Sequence, residues 1–184
     1  MVKYTPIERK EIVVKGERVL FRQANIADAP ALAAVLNEHG VKEYLRDYGG
    51  TPRVALDILR NRKFWLVAQQ GKKIIGAMRM RPEEHPAACD FTLAFTQASR
   101  GKGIASEALN HGLDWMRKNG FNNTTAYVGD YNAAVDFYKK NGFKVVAVIP
   151  NQFVLPKEFQ TSEHKLGNSL VIQKMLSKGE KNRN

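Results

Sequence analysis

The segment Gln97-Ala98-Ser99-Arg100-Gly101-Lys102-Gly103-Ile104-Ala105-Ser106-Glu107-Ala108-Leu109 constrains this chain more than any other. An apolar run, Phe91 to Phe95, leads into it, and a helix-patterned run leaves it near Ile104. Strand, glycine-rich turn and helix in that order gather backbone N–H groups at a helix N-terminus, a ready seat for phosphate. Gly101 and Gly103 keep side chains out of the approach, and Arg100 and Lys102 add positive charge. The GxxxxGK[ST] loop is absent, and Ser106 stands where GxGxxG needs its third glycine. From these residues alone, a tight turn with a solvated charge pair is the competing reading.

Around this segment the hydrophobic pattern gives strands near Ile12–Val14 and Arg18–Arg22, then a helix opened by Asp28 with Ala31, Leu32, Val35 and Leu36 on one face. His39-Gly40 closes that helix, and Glu43 to Gly50 has no clear pattern. Thr51-Pro52 caps a second helix that carries Val54, Leu56, Ile58 and Leu59 and ends near Asn61. Strands follow at 64–69, 74–80 and 90–95, and then a long helix from about Gly103 to Asn119. Its stripe is Ala105, Ala108, Leu109, Gly112, Leu113 and Met116. A strand at 124–128, a helix at 133–140 and a strand at 143–149 come next. An irregular stretch, Pro150 to Gly167, precedes the last strand at 170–175. The order β-β-α-α-β-β-β-α-β-α-β-β predicts an α/β (mixed α+β) fold. In it an antiparallel meander meets parallel crossovers over the last two helices. One domain is expected over 1–176, with a basic solvated tail at 177–184.

Composition narrows the class. The chain of 184 residues suits a single core. No long apolar run predicts a membrane span, and the start of the chain has no signal-peptide pattern. The single cysteine, Cys89, excludes an internal disulfide and fits a reducing cytoplasm, as a packed core residue. His39, His85, His111 and His164 are scattered, so no metal site is expected. The net charge of +11 favours anionic partners, but the basic residues form no dense block.

Arg100, Gly103 and Ala105 match the R/Q-x-x-G-x-G/A signature, and the segment resembles that of the GNAT superfamily of acetyl-CoA-dependent N-acetyltransferases. A second segment, Val128 to Phe143, resembles the family pattern in which a tyrosine precedes Gly-Phe across a short helix end; Tyr138, Gly142 and Phe143 fit it. The resemblance covers nearly the whole chain. It implies a GNAT-like fold, with a central, mostly antiparallel twisted sheet split at the cofactor site and flanked by about four helices. The family commonly has an asparagine seven residues before the tyrosine. Tyr131 occupies that position and Asn132 lies one residue later, so Asn132 is carried as a ligand candidate beside its reading as a helix cap.

The resemblance implies acetyl-CoA as donor, with no metal. The pyrophosphate would lie on the loop Arg100, Gly101, Lys102, Gly103, Ile104, Ala105 and Ser106. The pantetheine arm would pair with the backbone of Ala94, Phe95, Thr96 and Gln97. Tyr138 is the candidate acid: a phenol, with an ordinary pKa of about 10, is protonated at neutral pH and can donate to a thiolate. The alternative is a half-buried packing tyrosine. Asp90 is the candidate base, on one strand face with Thr92 and Ala94, and a hydrogen-bonded carboxylate opening the strand is its alternative. The implied activity is acetyl transfer to a primary amine of a protein or small molecule by direct attack in a ternary complex. The run Arg18 to Ala29 resembles the ribosomal-protein acetyltransferase branch. The acceptor is expected between Asp90 and residues 150–167, with Glu158, Glu163 and His164 as contacts. A non-catalytic acyl-CoA-binding regulatory module and a nucleic-acid-associated protein on the same scaffold are the competing readings. A homodimer is compatible with the chain.

Overall fold

A computed structural model describes residues 4–38, 41, 50–61, 64–85, 87–163 and 165–176. His39, Gly40, the stretch 42–49, His164 and the tail 177–184 lie outside the described residues. The strands are β1 (Lys10–Val14), β2 (Glu17–Gln23), β3 (Trp65–Gln70), β4 (Lys73–Pro82), β5 (Ala88–Phe95), β6 (Asn123–Gly129), β7 (Lys144–Val154) and β8 (Leu166–Met175). The helices are α1 (Ala29–Leu36), α2 (Thr51–Asn61), α3 (Ile104–Lys118) and α4 (Ala134–Lys140). One sheet takes all eight described strands in the order β1-β2-β3-β4-β5-β6-β8-β7. Only the β5–β6 contact is parallel. β8 is inserted between β6 and β7, so the crossover through α4 skips one strand position. This is the mixed, mostly antiparallel fold that the sequence predicts.

Period-two alternation gives the sheet two buried faces. On one, Ile104, Ala108, Leu109, Leu113 and Met116 of α3 pack with Met78, Met80, Cys89, Phe91 and Phe95. Each large apolar side chain buried here contributes about 1.5–3 kcal/mol. Gly112 lets α3 lie directly on β4: a Cβ at this position would be 2.3 Å from the Met78 sulfur. The opposite face carries α1 and α2, with Leu32, Val35, Leu36, Val54 and Ile58 over Trp65, Val67, Ala77 and Ala94. Of the apolar residues that α2 carries, Leu56 and Leu59 are 46% and 63% exposed.

The α3 stripe is wider than its spacing predicts, because Trp115 and His111 are also buried. The chain's N-terminal segment covers them. Trp115 Nε1 donates to the Thr5 carbonyl at 2.8 Å, and His111 Nε2 is 2.8 Å from the Glu8 carbonyl. Arg22 anchors the start of α1 through two 2.7 Å hydrogen bonds to the Asp28 carboxylate. Burial pushes the Asp28 carboxyl up, but Arg22 and the Asn25 N–H more than offset it and hold the group below its ordinary value.

The expected irregular stretch at 150–167 is corrected. Strand β7 continues through Pro150 to Val154, and β8 already begins at Leu166. The pattern hid this because the ladder is broken: the register slips between Ile149 and Phe153, and Asn151 has φ +53. Such a bulge adds residues without ending the pairing.

Candidate functional site

Strands β5 and β6 pair only at Ala88–Asn123, Cys89–Thr124 and Asp90–Thr125. Beyond Asp90 they diverge, and Phe91–Phe95 faces Ala126–Gly129 across a gap. On its other edge β5 stays paired with β4 throughout. The Thr96 N–H donates to the Ile75 carbonyl at 3.0 Å, which fixes the alternation. The backbone groups of Phe91, Leu93 and Phe95 therefore turn toward the gap, and those of Asp90, Thr92 and Ala94 toward β4. Unpaired strand edges of this kind can accept an extended, amide-bearing ligand as a further ladder partner.

The glycine-rich loop closes the wide end of the gap. After Phe95 the chain makes a 3-10 turn over Gln97–Ser99, and Gly103 caps α3 with φ +85, a left-handed conformation that side chains disfavour. The first helical hydrogen bonds to Gly103 come from the Ser106 and Glu107 N–H groups, so the amides of Ile104 and Ala105 precede the helical ladder. A Cβ at Gly101 would meet nothing within 4 Å, and one at Gly103 only Val14 Cγ1 at 3.9 Å. The space over the loop is therefore open, and its polarity suits a phosphate.

The β1–β2 turn braces the loop. Lys15 Nζ donates to the Gly101 carbonyl at 3.1 Å, and Lys102 Nζ lies 3.1 and 3.2 Å from the two Glu17 carboxylate oxygens. Among the predicted loop and strand residues, Ala94, Phe95, Arg100, Gly101, Ala105 and Asn132 line the cleft. The Thr96 N–H is committed to Ile75 and the Gln97 N–H to Glu38 Oε1 at 2.7 Å. Ile104 is buried in the core, and Lys102, Gly103 and Ser106 are not among the residues that line the cleft.

The cleft has a volume of about 1160 Å³ and runs from Arg100 and Gly101 to α2. Tyr138 and Asp90 both line it. Tyr138 is 7% exposed and packs edge-on to Phe91, Phe137 and Phe143, with ring centroids 5.9, 5.2 and 5.7 Å away. Burial pushes its phenol well above the ordinary value, so it stays protonated across the neutral range. Asp90 Oδ1 accepts from Arg81 Nε at 2.5 Å. Asn132 Oδ1 accepts from the Ala134 N–H at 2.8 Å, so the side chain caps the start of α4 while facing the cleft. Its predecessor Tyr131 lies over Gly129 and packs at a tilt against Phe159, with centroids 5.8 Å apart.

Several lining residues were not singled out by the sequence reading: Arg53, Asp57 and Arg60 of α2, Arg79 and Arg81 of β4, Leu93 of β5, and Gln152 and Phe153 of β7. Heptad-like spacing on α2 and the Arg-x-Arg alternation of β4 were the available hints. Glu158 and Glu163 are exposed and do not line the cleft, and His164 lies outside the described residues. Cys89, fully buried, has its thiol pushed up to about 12 by burial, with the Asp90 charge adding to the shift. It is no nucleophile at neutral pH. Among the described residues, no cluster of His, Cys, Asp and Glu could hold a metal, and no helix is long and apolar enough to cross a membrane.

A sequence model of the acetyltransferase (GNAT) family matches residues 31–143, a span that holds the loop, the strand gap and Tyr138. The chain belongs to the GNAT acetyltransferase family. Solved structures agree in fold. A GNAT-family acetyltransferase from Streptococcus pneumoniae superposes with a TM-score of 0.71 at 17% identity, over 86% of this chain and 99% of its own. The yncA protein of Salmonella typhimurium, solved with its cofactor acetyl-CoA, gives 0.69 at 18% identity over 88% and 96%. A protein named ribosomal-protein-alanine N-acetyltransferase from Brucella melitensis gives 0.64 at 24% identity over 85% and 99%. At these identities the likeness carries the fold alone. No curated protein matches this GNAT chain in sequence.

Proposed function

We propose that the protein transfers an acetyl group from acetyl-CoA to a primary amine by direct attack. The observation that carries this reading is the single cleft that joins a phosphate-suited loop, an unpaired strand edge, a buried neutral phenol and a carboxylate. The amides of Gly101 to Ala105 would hold the pyrophosphate, and the backbone of Leu93 and Phe95 the pantetheine amides. A backbone N–H on that edge would polarise the thioester carbonyl. The amine nitrogen attacks that carbon. The C–N bond forms, the C–S bond breaks, and the electron pair leaves on sulfur. Tyr138, kept protonated at neutral pH by its burial, supplies the proton to the thiolate. Asp90 is assigned as acceptor of the amine proton. Arginines around the site favour the neutral amine, since like charge disfavours an ammonium ion.

Thiol release from acetyl-CoA, followed over a panel of amines, tests the reading. Amine-dependent release is expected, with little background from the buried Cys89 thiol. Tight acetyl-CoA binding with no release for any amine would leave a regulatory acyl-CoA-binding module instead.

A further inference from the structure

The end of the cleft away from the glycine loop has an unusual charge inventory. Arg53 and Arg60 of α2 and Arg79 and Arg81 of β4 line it, against two carboxylates, Asp57 and Asp90, with no lysine or glutamate among the described lining residues. Register explains how they meet. Trp65, Arg79 and Thr92 stand in one cross-strand row, and Arg81, Asp90 and Thr125 in the next. Residues in such a row share a sheet face. That face lies under α2, because Trp65 and Ala94 belong to its core. On α2, positions 53, 57 and 60 share one helix face.

Both carboxylates are already engaged. Asp57 takes three donors: Trp65 Nε1 at 2.7 Å, Arg79 Nη2 at 2.8 Å and Asn61 Nδ2 at 3.0 Å. The Arg79 guanidinium also lies 5.8 Å from the centroid of the Trp65 ring. Arg81 occupies one oxygen of Asp90. Among the described lining residues arginine outnumbers carboxylate, and the braces hold the β4 guanidinium groups in fixed orientation. Rigid guanidinium forks match the geometry of oxyanions, and a cationic guest with no anion of its own would meet net repulsion.

We propose that the acceptor is a small amine that carries an oxyanion, carboxylate or phosphonate, within a few bonds of its nitrogen. Arg60 and Arg79 receive the anion, while the amine points to Asp90 and the thioester. This rests on the acetyltransfer reading and names the substrate class of the same site. A small guest is favoured because residues of α2 and Ile149, Gln152 and Phe153 of β7 line the same cleft. The cavity, moreover, must hold donor and acceptor together. A long polyamine or a lysine side chain brings charge of the wrong sign.

The test uses the full chain with saturating acetyl-CoA. The twenty free amino acids and a set of aminoalkylphosphonates are compared with the carboxamide and the decarboxylated amine of each substrate found, and with spermidine. The acids are expected to exceed their neutral counterparts by about 10- to 100-fold in kcat/KM, the usual worth of a charged hydrogen bond. The two acid sets show which oxyanion is preferred. Arg60→Gln, at an exposed position on α2, is expected to raise KM for the acid by more than for the carboxamide. Arg79→Lys keeps the charge but loses the fork, and should do the same. Equal or better acetylation of the carboxamides or of spermidine overturns the proposal, as does an acid-to-amide ratio that Arg60→Gln does not move. Calorimetry with the CoA-saturated protein separates the two readings. If no amine is acetylated but acids bind and amides do not, the acetyltransfer reading fails and the oxyanion site stands. If neither binds, the site fails as well.

Discussion

The loop end of the cleft is assembled from one stretch of chain, Phe91 to Ala105, and presents mainly backbone. The α2 end draws on four elements and presents side chains: Arg53, Asp57 and Arg60 from α2, Arg79 and Arg81 from β4, Asp90 from β5 and Gln152 from β7. The difference is chemical. A pyrophosphate needs convergent N–H groups and room, which glycines and a helix terminus provide locally. An acceptor needs particular charges at particular places, which only tertiary packing brings together. The loop end is thus suited to one ligand, and the α2 end can change its guest without changing the fold.

Tyr138 stands between the two ends, and replacing it is the largest perturbation available. Tyr138→Phe should lower kcat by about 10²–10⁴-fold and leave acetyl-CoA affinity nearly intact. The ring stays packed against Phe91 and Phe143, so the loss would be that of the proton alone. The raised pKa also fixes a sign. Folding favours the neutral phenol, so ionisation of Tyr138 should cause no fall in kcat between pH 8 and 9.5. A Tyr138→Phe protein that turns over normally, with chemistry rate-limiting, would make the residue a packing group.

The same contrast explains what the sequence made legible. Arg100, Gly103 and Ala105 are close neighbours, so spacing alone exposes the loop. Tyr138 with Gly142-Phe143 is again a local pattern. The order of elements along the chain was readable because each element has its own period, as on α3 and β5. Arg60 and Arg79, by contrast, are ordinary exposed or strand arginines until β3, β4 and α2 are stacked. Gln152 was invisible for another reason: the bulge around Asn151 breaks the alternation that marks a strand, so the end of β7 beyond Ile149 read as irregular. Asn132 illustrates the limit of motif reading. Its offset left cap and ligand roles open, and the Ala134 N–H contact establishes the cap without excluding the other.

A smaller effect is expected at the loop end. Gly103→Glu imposes about 1–2 kcal/mol of left-handed strain and places a carboxylate in the open space over the loop. Acetyl-CoA affinity should fall by about 10- to 100-fold, because like charges in register cost several kcal/mol. Gly103→Ala, which carries the strain without the charge, should lose less. Circular dichroism that matches the parent would show that the fold survives. Unchanged acetyl-CoA affinity in a folded Gly103→Glu protein would remove the loop from the binding site and leave the gap between β5 and β6 without its anchor.

The smallest effect concerns the brace beneath that loop, and its interest lies in sign. Lys102 is held by Glu17, with about a third of each side chain exposed. Two roles for the pair predict opposite outcomes. If Glu17 positions the loop, its removal loosens Gly101 to Gly103 and weakens acetyl-CoA binding. If Glu17 chiefly competes for the lysine, its removal frees a cation at the phosphate site and strengthens binding. A partly exposed pair of this kind contributes at most about 1 kcal/mol to holding the chain in place. The Lys15 Nζ bond to the Gly101 carbonyl remains as a separate tie. Competition should therefore win: Glu17→Gln is expected to tighten acetyl-CoA binding about two- to threefold at low salt, a gain within that 1 kcal/mol. The gain should vanish near 1 M salt, where the screening length falls to about 3 Å. Lys15→Ala should act in the other direction, since it removes both a tie and a positive charge. If Glu17→Gln weakens binding at every salt concentration, the β1–β2 turn shapes the loop rather than tuning its charge, and the loop end would then share the side-chain dependence of the α2 end.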